Sequence, residues 1–331
     1  MSPEQPTILL TGATGFIGRH LAPVLAARGA RVRGATRRAP AGAVPGVAEW
    51  AVIGAIGPDT DWQAALHGVT TVVHLAALAH QTDPRQQPTE DEFMGVNAAG
   101  TRRLAEAARA AGTVRRLVLI SSIGAVTDMC NTLIEESALA APMSPYGRSK
   151  LAAEQAVHAV LEGSAVEWCV LRPVLVYGPG NPGNMARLLK LVRSGLPLPL
   201  GGLANQRSFL FVGNLVDAID RVLESPGAAG RVFLVADDEK VSTAELIRLL
   251  ARAADRRARL WSAPAWGLQL AAQCGDLAEG IGLRTGLNTY SLRRLEDSLA
   301  VSNQALRLAT GWRPRTTLLE GLRQTLGRTA P

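Results

Sequence analysis

Short aliphatic runs recur along the first half of the chain, and between them apolar residues return every three or four positions. The runs Thr7–Leu10, Arg31–Ala35, Glu49–Ile53, Thr71–Leu75, Arg116–Ile120 and Val166–Leu171 predict strands. The intervening patterns predict helices over Ile17–Arg28, Trp62–Leu66, Glu92–Ala111 and Tyr146–Leu161. Runs that are apolar at nearly every position belong to strands covered on both faces. Strand and helix in alternation imply parallel pairing through crossover helices, an α/β fold built on a doubly wound parallel sheet.

After Arg172 the rhythm changes. Pro173, Gly178, Pro179, Gly180, Pro182 and Gly183 crowd a loop ahead of a helix over Asn184–Ser194, and a second Gly/Pro stretch leads into an extended run, Arg207–Val212. A further strand, Arg231–Val235, precedes helices from Thr243 onward. The expected division is a Rossmann domain over residues 1–172 and a smaller C-terminal lobe over 173–331 that partly returns to the sheet.

Composition adds exclusions more than assignments. With 47% hydrophobic and 19% charged residues, the 331-residue chain has the balance of a globular protein with a sizeable core. The net charge of +7 rests almost wholly on arginine, the lysines being Lys150, Lys190 and Lys240. The arginines form no long run and no nucleic-acid motif, so they read as a solvated surface, or in part as grips for a phosphorylated ligand. Cys130, Cys169 and Cys274 lie far apart, without metal-ligand spacing, and fit reduced thiols in a cytoplasm. Met1 to Thr7 is short and polar and enters a strand at once, unlike a secretory signal. The apolar stretch Trp261–Leu283 is broken by Asp276 and Glu279 and predicts a packed or amphipathic helix instead of a membrane span.

The candidate chemistry begins at Thr11-Gly12-Ala13-Thr14-Gly15-Phe16-Ile17-Gly18, where glycines stand between a strand and a helix. Glycine lets the backbone approach a pyrophosphate, and the helix N-terminus offers free N–H groups and a positive dipole end. Gly12, Thr14, Gly15, Phe16, Ile17 and Gly18 are thus candidate dinucleotide contacts, in a GxxGxxG spacing. The second strand ends Gly34-Ala35-Thr36-Arg37-Arg38, without the carboxylate that would bind ribose hydroxyls and repel a 2′-phosphate. Thr36 and Arg37 there favour NADP(H), with NAD(H) still open and a solvent-facing Arg37 the simpler alternative.

Tyr146 and Lys150 stand four apart on one face of a helix that begins after Pro145. A free tyrosine, with a pKa near 10, is a poor base at neutral pH, and a nearby cation stabilises its phenolate. Ahead of them, Leu117-Val118-Leu119-Ile120-Ser121-Ser122 ends a strand with serine at the sheet edge where ligands bind. Ser122 is the candidate to orient a reacting oxygen while Tyr146 moves its proton. The histidines offer little: His74 ends a buried strand, and His20, His67, His80 and His158 stand alone.

These motifs occur in order with His74-Leu75-Ala76-Ala77, Asn97, Leu171-Arg172-Pro173, Val176-Tyr177-Gly178-Pro179-Gly180, Arg207-Ser208-Phe209 and Gly311-Trp312-Arg313-Pro314. Together they resemble the extended short-chain dehydrogenase/reductases, the NAD-dependent epimerase/dehydratase family. The resemblance implies that Leu75, Ala76 and Ala77 line the cofactor and that Asn97 supports the hydrogen bonds of the site. It further implies that Pro173 and Val174 lie beside the nicotinamide, that Tyr146 and Lys150 also touch the cofactor, and that Asn184 and Arg207 bind substrate. Dehydratases of the family carry an acid after the strand-end serine segment, which Ser122-Ile123-Gly124-Ala125 lacks. The expected substrate is a nucleotide-linked hexose, UDP-bound, with reaction at C4. A 4-ketoreductase comes first, because Leu292–Gly321 resembles bacterial surface-polysaccharide 4-ketoreductases; a 4-epimerase is the alternative, and a non-catalytic NADP(H)-binding protein the second. A homodimer is a family-level expectation.

Overall fold

The computed structural model describes residues 5–79, 88–181, 184–280 and 288–327. Its first part runs β1 (Thr7–Thr11), α1 (Phe16–Ala27), β2 (Arg31–Thr36), β3 (Glu49–Val52), α2 (Gln63–Leu66), β4 (Thr71–His74), α3 (Glu90–Phe93) and α4 (Gly100–Ala110). There follow β5 (Arg116–Ile120), β6 (Cys130–Ile134), α5 (Pro145–Leu161), β7 (Glu167–Pro173), β8 (Leu175–Tyr177), α6 (Asn184–Arg193), β9 (Arg207–Phe211) and α7 (Val212–Glu224). The last part holds β10 (Arg231–Val235), β11 (Lys240–Val241), α8 (Thr243–Ala253), α9 (Ala265–Gly280), α10 (Thr289–Glu296), β12 (Leu299–Val301), α11 (Gln304–Thr310) and α12 (Leu318–Thr325).

The main sheet has the order β10-β7-β5-β4-β1-β2-β3, with every pairing parallel. From β1 the chain steps outward to β2 and β3, then returns to the other side of β1 as β4. This reversal opens a crevice beyond the carboxyl ends of β1 and β4, the place where open α/β sheets bind ligands. Ile8 and Leu10 pack with α1 and α7 on one face, whereas Leu9 packs with α2, α4 and α5 on the other. Burial on both faces is why the strands are apolar throughout. Each such side chain contributes roughly 1.5–3 kcal/mol, and a charge at fully buried Leu9 would lose that and be desolvated without a partner.

A second sheet has the order β11-β9-β12-β6, with β8 beside β9. It recruits β6 from the first half of the chain, while β10, from the second half, pairs with β7 in the main sheet. Residues 231–235 thus form an outer strand of the main sheet. The strands β6, β8 and β12 were not legible in the pattern: β6 is largely exposed and carries polar residues, so it lacks the apolar run of the main strands, and β8 and β12 are only three residues long.

The predicted continuous helix over Glu92–Ala111 is a correction. It is broken by a π-helical turn, Met94–Ala99, between α3 and α4. Such a turn widens the backbone by one residue and re-aims a side chain inward, here Asn97. His80, Pro182 and Gly183 lie outside the described residues.

Candidate active site

β1 ends at Thr11, and the chain turns through Gly12 at φ +70°, a conformation that disfavours L side chains. A Cβ on Gly12 would sit 3.0 Å from the Ala76 nitrogen, and one on Gly18 would sit 2.3 Å from the Gly12 carbonyl oxygen. The glycines therefore let α1, the turn and the segment after β4 close on one another. Gly15, the N-cap of α1, brings no side chain to the helix end. By contrast α8 and α12 begin with full capping boxes from Ser242–Glu245 and Thr317–Glu320. The first N–H groups of α1 are left for an anion, and the turn has room for one only because Cβ atoms are missing. The residues present thus fit a dinucleotide's pyrophosphate; Thr14 stands in the turn, and Phe16 and Ile17 open α1.

Leu75, Ala76 and Ala77 follow β4, and the backbone of Leu75 and Ala76 lies against Gly12. Thr11 Oγ1 accepts the N–H groups of Leu75 (3.1 Å) and Ala76 (3.0 Å), which fills its lone pairs. Its proton is left for His74 Nδ1, 2.7 Å away, so the neutral imidazole carries its hydrogen on Nε2 and donates to Thr101 Oγ1 at 3.0 Å. Burial, helped by the Lys150 cation, pushes His74 down to about 3. His74 is an internal brace for the cradle and no proton carrier. Asn97 accepts the Leu78 N–H (2.7 Å) and donates to the Leu78 carbonyl (2.9 Å) and to Ser149 Oγ (3.0 Å). It ties the cradle to α5.

α5 starts cleanly: Ser144 caps it by accepting the Gly147 N–H at 3.2 Å, and Pro145 occupies the first turn where its missing N–H costs nothing. Tyr146 then projects toward Ser122, held by an edge contact with Phe93 at 5.9 Å between ring centroids. Burial raises the Tyr146 phenol above its usual range, and the hydrogen bond with Ser122 opposes that. The Ser122 hydroxyl also accepts the Gly124 N–H at 3.1 Å, which fixes its position at the end of β5. Lys150 is buried, its Nζ donating to the Ile120 carbonyl at 2.7 Å. Burial lowers it to about 8, with Glu154 pulling the other way. Ser122, Tyr146 and Lys150 are thus gathered at one strand end.

Behind them lies a group that sequence reasoning missed. Glu154, one turn beyond Lys150 on α5, receives the Ser121 hydroxyl and a two-pronged grip from Arg172 at 2.6 to 3.1 Å. Both partners of this ion pair are buried. The signal was the i+4 spacing of Glu154 from Lys150; its partner on β7 could not be read.

Pro173 ends β7 opposite Val235, and the Val174 N–H donates to the Val235 carbonyl at 3.1 Å, so both stand buried at the same sheet edge. Thr36 and Arg37 lie past the register pair Thr11–Ala35, beside the glycine turn. Thr36 is spent on the Arg38 carbonyl at 2.8 Å, while Arg37 is exposed and makes no ion pair among the described residues. Arg207 opens β9 on the second sheet, half-buried, with its guanidinium donating to the Asp297 carbonyl at 3.3 Å. Asn184 heads α6, and its side chain lies outside the described residues. Among the described residues no cluster of metal-ligating side chains occurs, and no helix is long and apolar enough to cross a membrane.

The model of the NAD-dependent epimerase/dehydratase family matches residues 8–236. The UDP-glucose 4-epimerase of Vibrio cholerae is 37% identical over 325 residues, 96% of this chain and 94% of the relative. The dTDP-6-deoxy-L-talose 4-dehydrogenase (NAD(P)(+)) of Kitasatospora kifunensis is 29% identical over 100% of this chain and 98% of its own length. The crystal structure of Thermus thermophilus UDP-glucose 4-epimerase in complex with NAD superposes with a TM-score of 0.72, at 28% identity, over 97% of this chain and 98% of that one. The cradle at Gly12, the Tyr146/Lys150 helix and these full-length likenesses agree: the chain is an enzyme of the NAD-dependent epimerase/dehydratase family.

Proposed function

We propose that the enzyme inverts C4 of a UDP-linked hexose. What supports this reading is the gathering of Ser122, Tyr146 and buried Lys150 where α5 meets the end of β5. When bound, a nicotinamide dinucleotide supplies the acceptor and donor of the C4 hydride. Tyr146 takes the proton of the C4 hydroxyl and later returns it, and Ser122 aligns that oxygen. The Lys150 cation stabilises the phenolate through which the proton passes. The full-length likeness to the Vibrio cholerae epimerase supports inversion ahead of single reduction.

A second reading, a 4-ketoreductase using NADPH, is favoured by one observation. Arg37 is free of ion pairs among the described residues at the strand end where an NAD-selective site would carry an acid. The reaction mode is tested by incubating purified enzyme with UDP-glucose without added cofactor and following the sugar by NMR. Epimerisation gives UDP-galactose with no net change in reduced-nicotinamide absorbance. Inertness there, with stoichiometric NADPH consumption on a UDP-4-keto-6-deoxyhexose, establishes the reductase. Tyr146→Phe serves as control, since loss of its proton should cost about 10²–10⁴-fold in kcat. In either mode Arg207, with Asn184, is the proposed holder of the substrate's nucleotide diphosphate.

A further inference from the structure

Helix α9 is apolar on two sides. Its inner side packs Leu268 and Ala272 against Leu292 of α10. At 100° per residue, Trp266, Leu270, Cys274 and Leu277 fall on the opposite side. There Trp266, Leu270 and Leu277 are 71%, 55% and 75% exposed, and Trp261 just ahead is 52% exposed. Gln269 and Gln273 are the polar residues of that face. Asp276 is turned toward α10, where its carboxylate receives the N–H and hydroxyl of Thr289. A solvent-facing helix side normally carries charge; this one carries aromatic and aliphatic side chains instead.

The charge lies immediately before it. Arg252, Arg256, Arg257 and Arg259 are all exposed, with Asp255 the acid among them. The backbone bridges Leu198–Leu260 and Leu200–Ser262 fix this arginine-rich turn to the body of the protein. We propose that the arginine turn and the outer face of α9 form a docking surface for an anionic lipid bilayer. Trp261, Trp266, Leu270 and Leu277 enter the acyl boundary, and the guanidinium groups sit among headgroup phosphates. At 16 residues α9 is too short to span a bilayer, which takes about 20, so it lies in the interface plane. Charge complementarity favours this occupant over a second copy of the chain: four exposed arginines beside one exposed acid suit headgroup phosphates, and the same patch on a copy would repel them. None of these residues is among those gathered around Ser122, Tyr146 and Lys150.

The test is sedimentation of the full chain with vesicles of phosphatidylglycerol and phosphatidylcholine, and with vesicles of phosphatidylcholine alone. Binding is expected to the anionic vesicles only, weakened by salt, with a blue shift of tryptophan emission from Trp261 and Trp266. Replacing Arg256, Arg257 and Arg259 together by glutamine should weaken it about 100-fold, at roughly fivefold per arginine. Leu270→Glu should weaken it at least about tenfold, and both variants should keep wild-type turnover on soluble substrate. The arginine variant changes only exposed positions, so it decides the matter even if Leu270→Glu folds poorly. Wild-type protein left in the supernatant, or equal binding to both vesicle types, overturns the proposal. So does a dimer that Leu270→Glu splits while vesicle binding persists.

Discussion

Glu154→Gln keeps the shape of the side chain but removes the charge that Arg172 grips. It leaves a guanidinium buried without a counter-ion, a loss worth about 3–5 kcal/mol of stability by denaturant titration. The same change removes an anion that holds Lys150 up, so Lys150 should fall below its value of about 8. The alkaline limb of the pH–rate profile should then move to lower pH; a variant that loses stability with an unmoved profile would confine Glu154 to a structural role. His74 gives a cleaner stability test. Its folded pKa of about 3 lies below the unfolded value of 6.5, so on acidification the unfolded chain takes a proton that the folded one refuses. Stability from His74 is therefore full above pH 6.5 and lost as pH falls toward 3. Between pH 8 and pH 5 the loss is about 2 kcal/mol relative to His74→Gln, which does not titrate. A wild-type and variant pair with parallel stability curves would show that His74 is not held neutral. Neither network was readable in advance, because Thr11 and His74 are separated by 63 positions and Glu154 and Arg172 by 18. Ser122, Tyr146 and Lys150 were readable, because helix spacing and strand ends are local.

At the scale of elements, the glycine turn shows how little space decides the cofactor cradle. Gly18→Ala would drive a Cβ to within 2.3 Å of the Gly12 carbonyl oxygen and 2.6 Å of Ala13 Cα, both backbone atoms with nowhere cheap to go. The start of α1 must lift away from the turn, at a cost of about 1–3 kcal/mol, and nicotinamide-dinucleotide affinity should fall with it. Gly57→Ala, where a Cβ meets nothing within 4 Å, is the control and should stay within about 0.5 kcal/mol of wild type. Isothermal titration with NAD(H) and NADP(H) on both variants reads the outcome, and unchanged affinity in Gly18→Ala would remove the cradle from the cofactor site. The main strands and α5 were legible because both-face burial and helical periodicity write themselves into every residue. The π-helical turn at Met94–Ala99 was not: it inserts one residue into an otherwise regular pattern, and its signature is the inward aim of Asn97, which only the folded partners Leu78 and Ser149 reveal.

Across the whole molecule the two halves of the chain are exchanged between sheets. β6 joins β12 in the small sheet, and β10 joins β7 in the large one. The proposed cofactor contacts thus stand on the main sheet and α5, whereas Arg207 stands on β9, whose start is held by the Leu299 N–H on the Gln206 carbonyl at 2.8 Å. Ligands of the two regions should therefore stabilise the protein independently. A ligand at 100 times its dissociation constant adds about 2.7 kcal/mol to the folded state. UDP should raise the melting temperature of wild-type protein through the diphosphate that Arg207 is proposed to grip. Charge-assisted hydrogen bonds of that kind are worth about 1.5–3 kcal/mol. Arg207→Ala should accordingly abolish most of the UDP-induced rise at the same concentration, while the rise produced by NAD(H) or NADP(H) stays unchanged. A variant in which the cofactor-induced rise disappears and the UDP-induced rise survives would move Arg207 to the cofactor pocket, and with it the expected place of the substrate diphosphate.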